Sequence, residues 1–242
     1  MWIKICGTTN LEDALLAADA GADAVGFVFA RSPRQVTAGQ VAQFAPELPK
    51  TLLKIGVFST QDFDEIVFSL QTAGLNGVQL HGELDFLLAD RLRAQFGPEF
   101  IVLQTLHWNV DGDPGRAEKR LRDELRSVVR HGGIGGVLVD ARTAAASGGT
   151  GRIFDWEHAQ EALSVEAGDL RLVVAGGLTA ENVGEAIRTL RPWGVDAVTG
   201  VELRPGKKDP ARVRAFVHAA RGAVTSADKS GSHKPAGSAL SM

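Results

Sequence analysis

The single cysteine of this 242-residue chain, Cys6, closes the short run Trp2-Ile3-Lys4-Ile5 and is followed at once by Gly7. A thiol has a reference pKa of about 8.5, so a cation beside it would make it a general base near neutral pH. Free cysteine is also among the most buried residue types, and inert packing is its alternative use. Far along the chain, Asp140 closes a second apolar run, Gly136-Val137-Leu138-Val139. A carboxyl group at the end of a buried strand is partly desolvated, which raises its pKa and suits it to deliver a proton. Its other use is to anchor the loop that follows.

Other residues stand where a ligand would need them. Gly176-Gly177 precedes a helical stretch at 179–190, and Thr199-Gly200 precedes a shorter turn. Backbone N–H groups at such places, with no Cβ in the way, can surround a phosphate dianion. The same glycines also serve simple tight turns. Arg34, in the loop Ala30-Arg31-Ser32-Pro33-Arg34, is either a bidentate donor for a carboxylate or a solvated loop cation. His81 is either a ligand contact or a packed loop histidine. The run Gly148-Gly149-Thr150-Gly151 lacks the Gly-Lys-Ser/Thr ending of a Walker loop and reads as a mobile lid or phosphate-side loop. No cluster of His, Asp and Glu has metal-ligand spacing, so no metal is expected.

What must position these residues is a unit repeated along the chain: a short apolar run, a turn with Gly or a polar residue, then a helical stretch. The runs fall at 2–7, 24–29, 52–58, 77–80, 100–104, 136–140, 172–175 and 195–199. They are near-continuous in apolar character rather than alternating, as parallel strands covered on both faces should be. Such units at intervals of about 25–35 residues predict an α/β fold, a single-domain (β/α)8 TIM barrel with right-handed crossovers. A doubly wound open sheet is the structural rival; the count of eight and the absence of a first-turn GxGxxG favour the barrel. In a barrel the candidates above gather at the C-terminal ends of the strands. The catalytic domain is expected over 1–222. Residues 223–242, rich in Ser, Gly, Ala and Lys with almost no apolar anchor, read as a disordered tail.

Composition narrows the classes further. Hydrophobic residues make up 44% and charged residues 23% of the chain, with a net charge of −3 and no basic run. This argues against nucleic acid as a partner. No apolar run approaches the roughly 20 residues of a membrane span, and no signal-peptide pattern is visible. With one cysteine there is no intrachain disulfide. A cytoplasmic protein acting on a small molecule is expected.

The runs KICGTTNLEDA, GADAVGFVFARSPRQV, GVQLHGE, LVDAR, GGTGRIFDW, AGGLTAENV and GVELRPGKKD, in this order, resemble phosphoribosylanthranilate isomerases of tryptophan biosynthesis. The resemblance spans Ile3 to about Phe216. It implies a cofactor-free Amadori rearrangement of a phosphosugar, N-(5-phosphoribosyl)anthranilate. Cys6 then maps onto the general base, Asp140 onto the general acid, and Arg34 onto the residue that holds the anthranilate carboxylate. Homodimers and monomers share these motifs, so a homodimer is compatible with them. Two rival barrels, the histidine-pathway isomerase and indole-glycerol-phosphate synthase, would want an aspartate at position 6 or a lysine-based site. A third rival is a binding barrel without turnover, against which the retention of both Cys6 and Asp140 argues. One departure stands out. Two serines usually precede the eighth-strand glycine in the family, and here Val198 and Thr199 precede Gly200, which implies weaker phosphate binding.

Overall fold

Strand β1 (Trp2–Cys6) is buried along its whole length and pairs in parallel with two neighbours, β2 (Ala24–Val28) and β8 (Gly194–Ala197). The first strand therefore joins the last, and the sheet closes into a barrel without an edge. Between them, in chain order, run β3 (Leu53–Phe58), β4 (Gly77–Leu80), β5 (Ile101–Asn109), β6 (Gly136–Arg142) and β7 (Arg171–Val174). The helices α1 (Leu11–Asp19), α2 (Ala38–Phe44), α3 (Phe63–Ala73), α4 (Phe86–Phe96), α5 (Pro114–His131), α6 (Trp156–Glu166), α7 (Val183–Leu190) and α8 (Pro210–Ser230) follow the strands one by one. This computed structural model describes residues 1–142 and 153–230. It is the (β/α)8 barrel expected from the spacing of the apolar runs.

The helices start where side chains can satisfy the orphan N–H groups of a first turn. Asn10, Asp62, Asp85, Asp113 and Asp155 each accept a bond from a first-turn N–H. At α2, Thr37 and Gln40 form a reciprocal capping box. Each such cap is worth about 1 kcal/mol. Four differences from the sequence reading change the architecture rather than shift a boundary by a residue or two. Strand β5 continues to Asn109 instead of stopping at Gln104, because β6 pairs with it as far as Asn109↔Arg142. Helix α7 begins at Val183 rather than Thr179, because the Asn182 side chain accepts from Thr179 N–H and donates to the Gly177 carbonyl, holding 177–182 as a turn. After β8, residues Glu202–Arg204 (β9) and Lys207–Lys208 (β10) form an antiparallel hairpin rather than a plain loop. Helix α8 runs on to Ser230, so residues 223–230 are helical rather than part of the expected disordered tail. The rest of the expected tail, 231–242, and the expected lid loop with Gly149 lie outside the described residues.

Side chains alternate along a strand, so Trp2, Lys4 and Cys6 share one face of β1. That face points into the barrel, and the interior is layered. At the N-terminal end Trp2, Ala24, Ile55, Leu103, Leu138 and Val173 form an apolar cluster separate from the main core between strands and helices. One layer higher, Lys4, Gln79, Thr105 and Asp196 replace it with polar groups, all buried. Cys6 and Asp140 lie above them, at the C-terminal rim.

Candidate active site

A cavity of about 190 Å³ opens at this rim, with Cys6, Arg34, Gln79, His81, Asp140 and Asp196 among its lining residues. The structure thus brings together, in one concave space, the thiol and the carboxyl group that the sequence places 134 positions apart.

Cys6 owes its place to a glycine on the next strand. In the β1–β2 register Cys6 faces Gly26. A Cβ at Gly26 would lie 2.5 Å from Cys6 Sγ and 3.0 Å from Lys4 Cε, so both side chains occupy the space that the glycine leaves. Burial pushes the Cys6 thiol up from its ordinary value, and the Lys4 ammonium pulls it back only in part. Lys4 is fully buried and donates to Gln79 Oε1 at 2.9 Å and to Asp196 Oδ1 at 3.0 Å. Burial disfavours its charge, but Asp196 and then Cys6 outweigh that and hold the ammonium above the usual lysine value. The backbone of Cys6 is held as well, since its carbonyl accepts a short bond from Lys208 Nζ on the β9–β10 hairpin.

Asp140 sits opposite His107 in the β5–β6 register. Burial first, then the nearby Asp196 carboxylate, raise its pKa to about 7; the Ala141 N–H and the Lys4 charge oppose them. A carboxylic acid of this strength is about half protonated at neutral pH and serves as a proton donor there. His81 lines the cavity, its ring edge-on to His107 at 4.8 Å, and its carbonyl lies 3.1 Å from His107 Nε2.

Arg34 is not a solvated loop cation. It is buried and clamped by Glu202, with Nε bonded to both carboxylate oxygens at 2.9 and 3.1 Å and Nη2 at 2.7 Å. Burial works against the Glu202 carboxylate, but Arg34, Lys208 and the Gly206 N–H together hold it below the ordinary glutamate value. The clamp takes the Nε–Nη2 edge of the guanidinium and leaves its Nη1 end as the edge not engaged by Glu202. Arg34 itself is part of the cavity wall.

On the other side of Asp140 a narrow cleft of about 20 Å³ runs between Gly176, Gly177, Val198 and Thr199. Gly176 and Gly177 both have positive φ, +85° and +63°, and turn the backbone sharply here. Gly200, in the short 3-10 turn Thr199–Val201, approaches the Leu178 carbonyl so closely that any Cβ would collide with it. The two loops are therefore pressed together, and the glycines are what permit it. Among the described residues no group of His, Cys, Asp and Glu is arranged to hold a metal ion.

Sequence reasoning passed over Lys4, Gln79, Asp196, Glu202 and Lys208. For the first three a signal existed: each is a charged or amide residue in the middle of an otherwise apolar barrel strand, where it must find partners inside. For Glu202 and Lys208 there was none, because charged residues near Pro-Gly read as a solvated turn.

Fold and site together define a class: a (β/α)8 barrel whose rim cavity holds a buried thiol and a buried carboxyl group of raised pKa. Residues 3–219 match the family model of N-(5'-phosphoribosyl)anthranilate (PRA) isomerase. The N-(5'-phosphoribosyl)anthranilate isomerase of Pelobacter propionicus is 42% identical over 224 residues, covering 90% of this chain and 95% of that protein. The crystal structure of the Thermotoga maritima phosphoribosyl anthranilate isomerase superposes with a TM-score of 0.76 at 35% identity, covering 92% of this chain and 99% of that one. A phosphoribosyl anthranilate isomerase in complex with reduced 1-(o-carboxyphenylamino)-1-deoxyribulose 5-phosphate gives 0.72 at 32% identity, with the same coverage. The chain belongs to the PRA isomerase family.

Proposed function

We propose that this chain isomerises N-(5-phosphoribosyl)anthranilate to 1-(2-carboxyphenylamino)-1-deoxyribulose 5-phosphate, a step of tryptophan biosynthesis, with Asp140 as general acid and Cys6 as general base. One observation carries the assignment of roles: the two groups share a single cavity at the rim, and Asp140 is held close to neutrality while Cys6 lies beside a buried ammonium. Opening the furanosylamine ring requires a proton on the ring oxygen as its bond to C1′ breaks, and the amine lone pair then forms a protonated Schiff base. Asp140 delivers that proton. The Cys6 thiolate removes the proton from C2′, and the resulting enolamine tautomerises to the ketose. The carbons exchange oxidation state within one molecule, so the step calls for proton transfers alone.

Arg34 is assigned to the anthranilate carboxylate through its Nη1 end, and His81 to the wall of that subsite. The glycine cleft at Gly176, Gly177, Thr199 and Gly200 is assigned to the phosphate, which anchors the substrate away from the reacting carbons. Gly149 is included in that phosphate side on the sequence reading alone. A relative from Thermotoga maritima is described as dimeric, and a homodimer in the cytoplasm is part of the proposal. Among the described residues no helix is long and apolar enough to cross a membrane.

The test follows the disappearance of freshly generated, fluorescent phosphoribosylanthranilate. Wild type, Cys6→Ser and Asp140→Asn are run side by side. Turnover by the wild type and a loss of about a hundredfold or more in kcat in each variant is the expected result. An inactive wild type overturns the substrate assignment; full activity in either variant overturns that residue's role.

A further inference from the structure

Lys4 lies beneath Cys6 inside the barrel, with no exposed surface. An ammonium has three hydrogens to give; two go to Gln79 Oε1 and Asp196 Oδ1, and the Cys6 side chain shares with the Lys4 stem the space that Gly26 leaves, on the same face of β1. Gln79 is itself held by donating to Thr105 Oγ1 at 3.1 Å, and Asp196 is the register partner of Lys4 on β8. Both bonded acceptors are thus fixed, and the neighbouring sulfur is the group whose charge a proton-transfer reaction changes. We propose that Lys4 is a positioning residue that supplies the fixed counter-charge for the Cys6 thiolate, oriented by Asp196 and Gln79. This rests on Cys6 acting as the base.

The charged and titratable groups around the thiol are few, and each has a settled place. Lys4 comes from its own strand, Asp196 from β8 and Asp140 from β6. Lys208 of the hairpin faces Cys6 through the carbonyl, and Arg34 is tied to Glu202. Lys4 is the cation that meets the sulfur from inside the barrel. The same buried pair acts on the acid, since the Asp196 carboxylate favours the protonated form of Asp140. One ion pair therefore acts on both groups: its ammonium offsets part of the burial that favours the neutral thiol, and its carboxylate favours the neutral acid at Asp140.

The chain offers a direct readout, because it has one cysteine and no tyrosine. Thiolate absorbance at about 240 nm then reports Cys6 alone, free of tyrosinate. The titration is run on the wild type, on Lys4→Met and on Lys4→Met/Asp196→Asn, which spares the fold an unpaired buried carboxylate. Folding is checked by circular dichroism. Thiolate should appear at least about one pH unit higher in Lys4→Met than in the wild type, and higher by less in the double variant. In the isomerase assay kcat/KM of Lys4→Met should fall about tenfold or more at neutral pH and recover in part as pH is raised. A folded variant, single or double, whose thiolate appears at the wild-type pH overturns the proposal and leaves Lys4 a structural charge. The titration uses no substrate, so failure of the substrate assignment would show separately, as a wild type that titrates as expected but does not turn over.

Discussion

At the N-terminal end of the barrel, Trp2, Ile55, Leu103, Leu138 and Val173 fill the interior with apolar side chains and no titratable group. Toward the C-terminal rim of the same barrel, the interior holds Lys4, Gln79, Thr105, Asp196, Cys6 and Asp140, nearly as well buried. Backbone, pairing and twist are shared, so the contrast isolates what side-chain choice does. The lower layer gains the transfer free energy of apolar burial, offset at one point by the Trp2 indole N–H, which is buried without a hydrogen-bond partner among the described residues. The upper layer pairs Lys4 with Asp196 yet gains little net stability from the pair, since desolvation offsets attraction in a buried ion pair. What it gains instead is a carboxyl group and a thiol with displaced proton affinities. The lower end holds the barrel shut, and the upper end holds the two groups to which the proton transfers are assigned.

Truncating the lower layer should break stability and spare chemistry. Leu103→Ala removes a buried side chain from a packed cluster and should cost about 2–5 kcal/mol in denaturant unfolding. Below its melting temperature the variant should keep a kcat within a fewfold of wild type. A kcat loss of a hundredfold would show that the two layers are not separable.

Asp140→Asn should do the reverse. The carboxyl group has a pKa of about 7 in the folded chain against a reference value of 3.8, so the native state binds its proton more tightly than the unfolded state does. Wild-type stability therefore carries a penalty that is absent below about pH 4, grows through the range up to 7 and is complete above it. Replacing the acid by a neutral amide removes that penalty. The variant should be more stable than wild type above neutral pH, by up to about 4 kcal/mol, with the gain vanishing near pH 4. Unfolding titrations at several pH values check the sign. A variant less stable than wild type at pH 8 would mean that Asp140 is held by bonds to its charged form instead.

The lower layer was legible in the sequence because apolar runs and helix caps are local features. The interval from Cys6 to Asp140 became a site only through closure of the sheet, which the count of eight units implied. Arg34 shows the limit. Its type suggested a carboxylate, and its nearest carboxylate is Glu202, 168 positions away on a hairpin that nothing local announced. Strand β5 was read short because Thr105, His107 and Trp108 do not look like a barrel strand. Their register against β6 is a tertiary fact. The turn ahead of α7 was missed for the opposite reason, since Asn182 closes it with two side-chain bonds where the pattern alone continued a helix.

The smallest effect tests the upper layer at the glycine cleft to which the phosphate is assigned. Val198 lines both the main cavity and the narrow cleft between the glycine loops, and it brings an apolar side chain to a place where the family usually has a hydroxyl. The neighbouring Thr199 keeps one hydroxyl, and the backbone of Gly177 and Gly200 still supplies N–H donors. Val198→Ser adds a single neutral donor to a dianion that already has others, a gain of about 1 kcal/mol set against the loss of valine packing. KM for phosphoribosylanthranilate should therefore fall about threefold to tenfold, with kcat little changed, because the phosphate is bound equally in ground and transition states. An unchanged KM would mean that backbone donors alone saturate the phosphate. The departure at position 198 would then be neutral packing, and the polar layer would end at Asp196 rather than reaching the glycine loops.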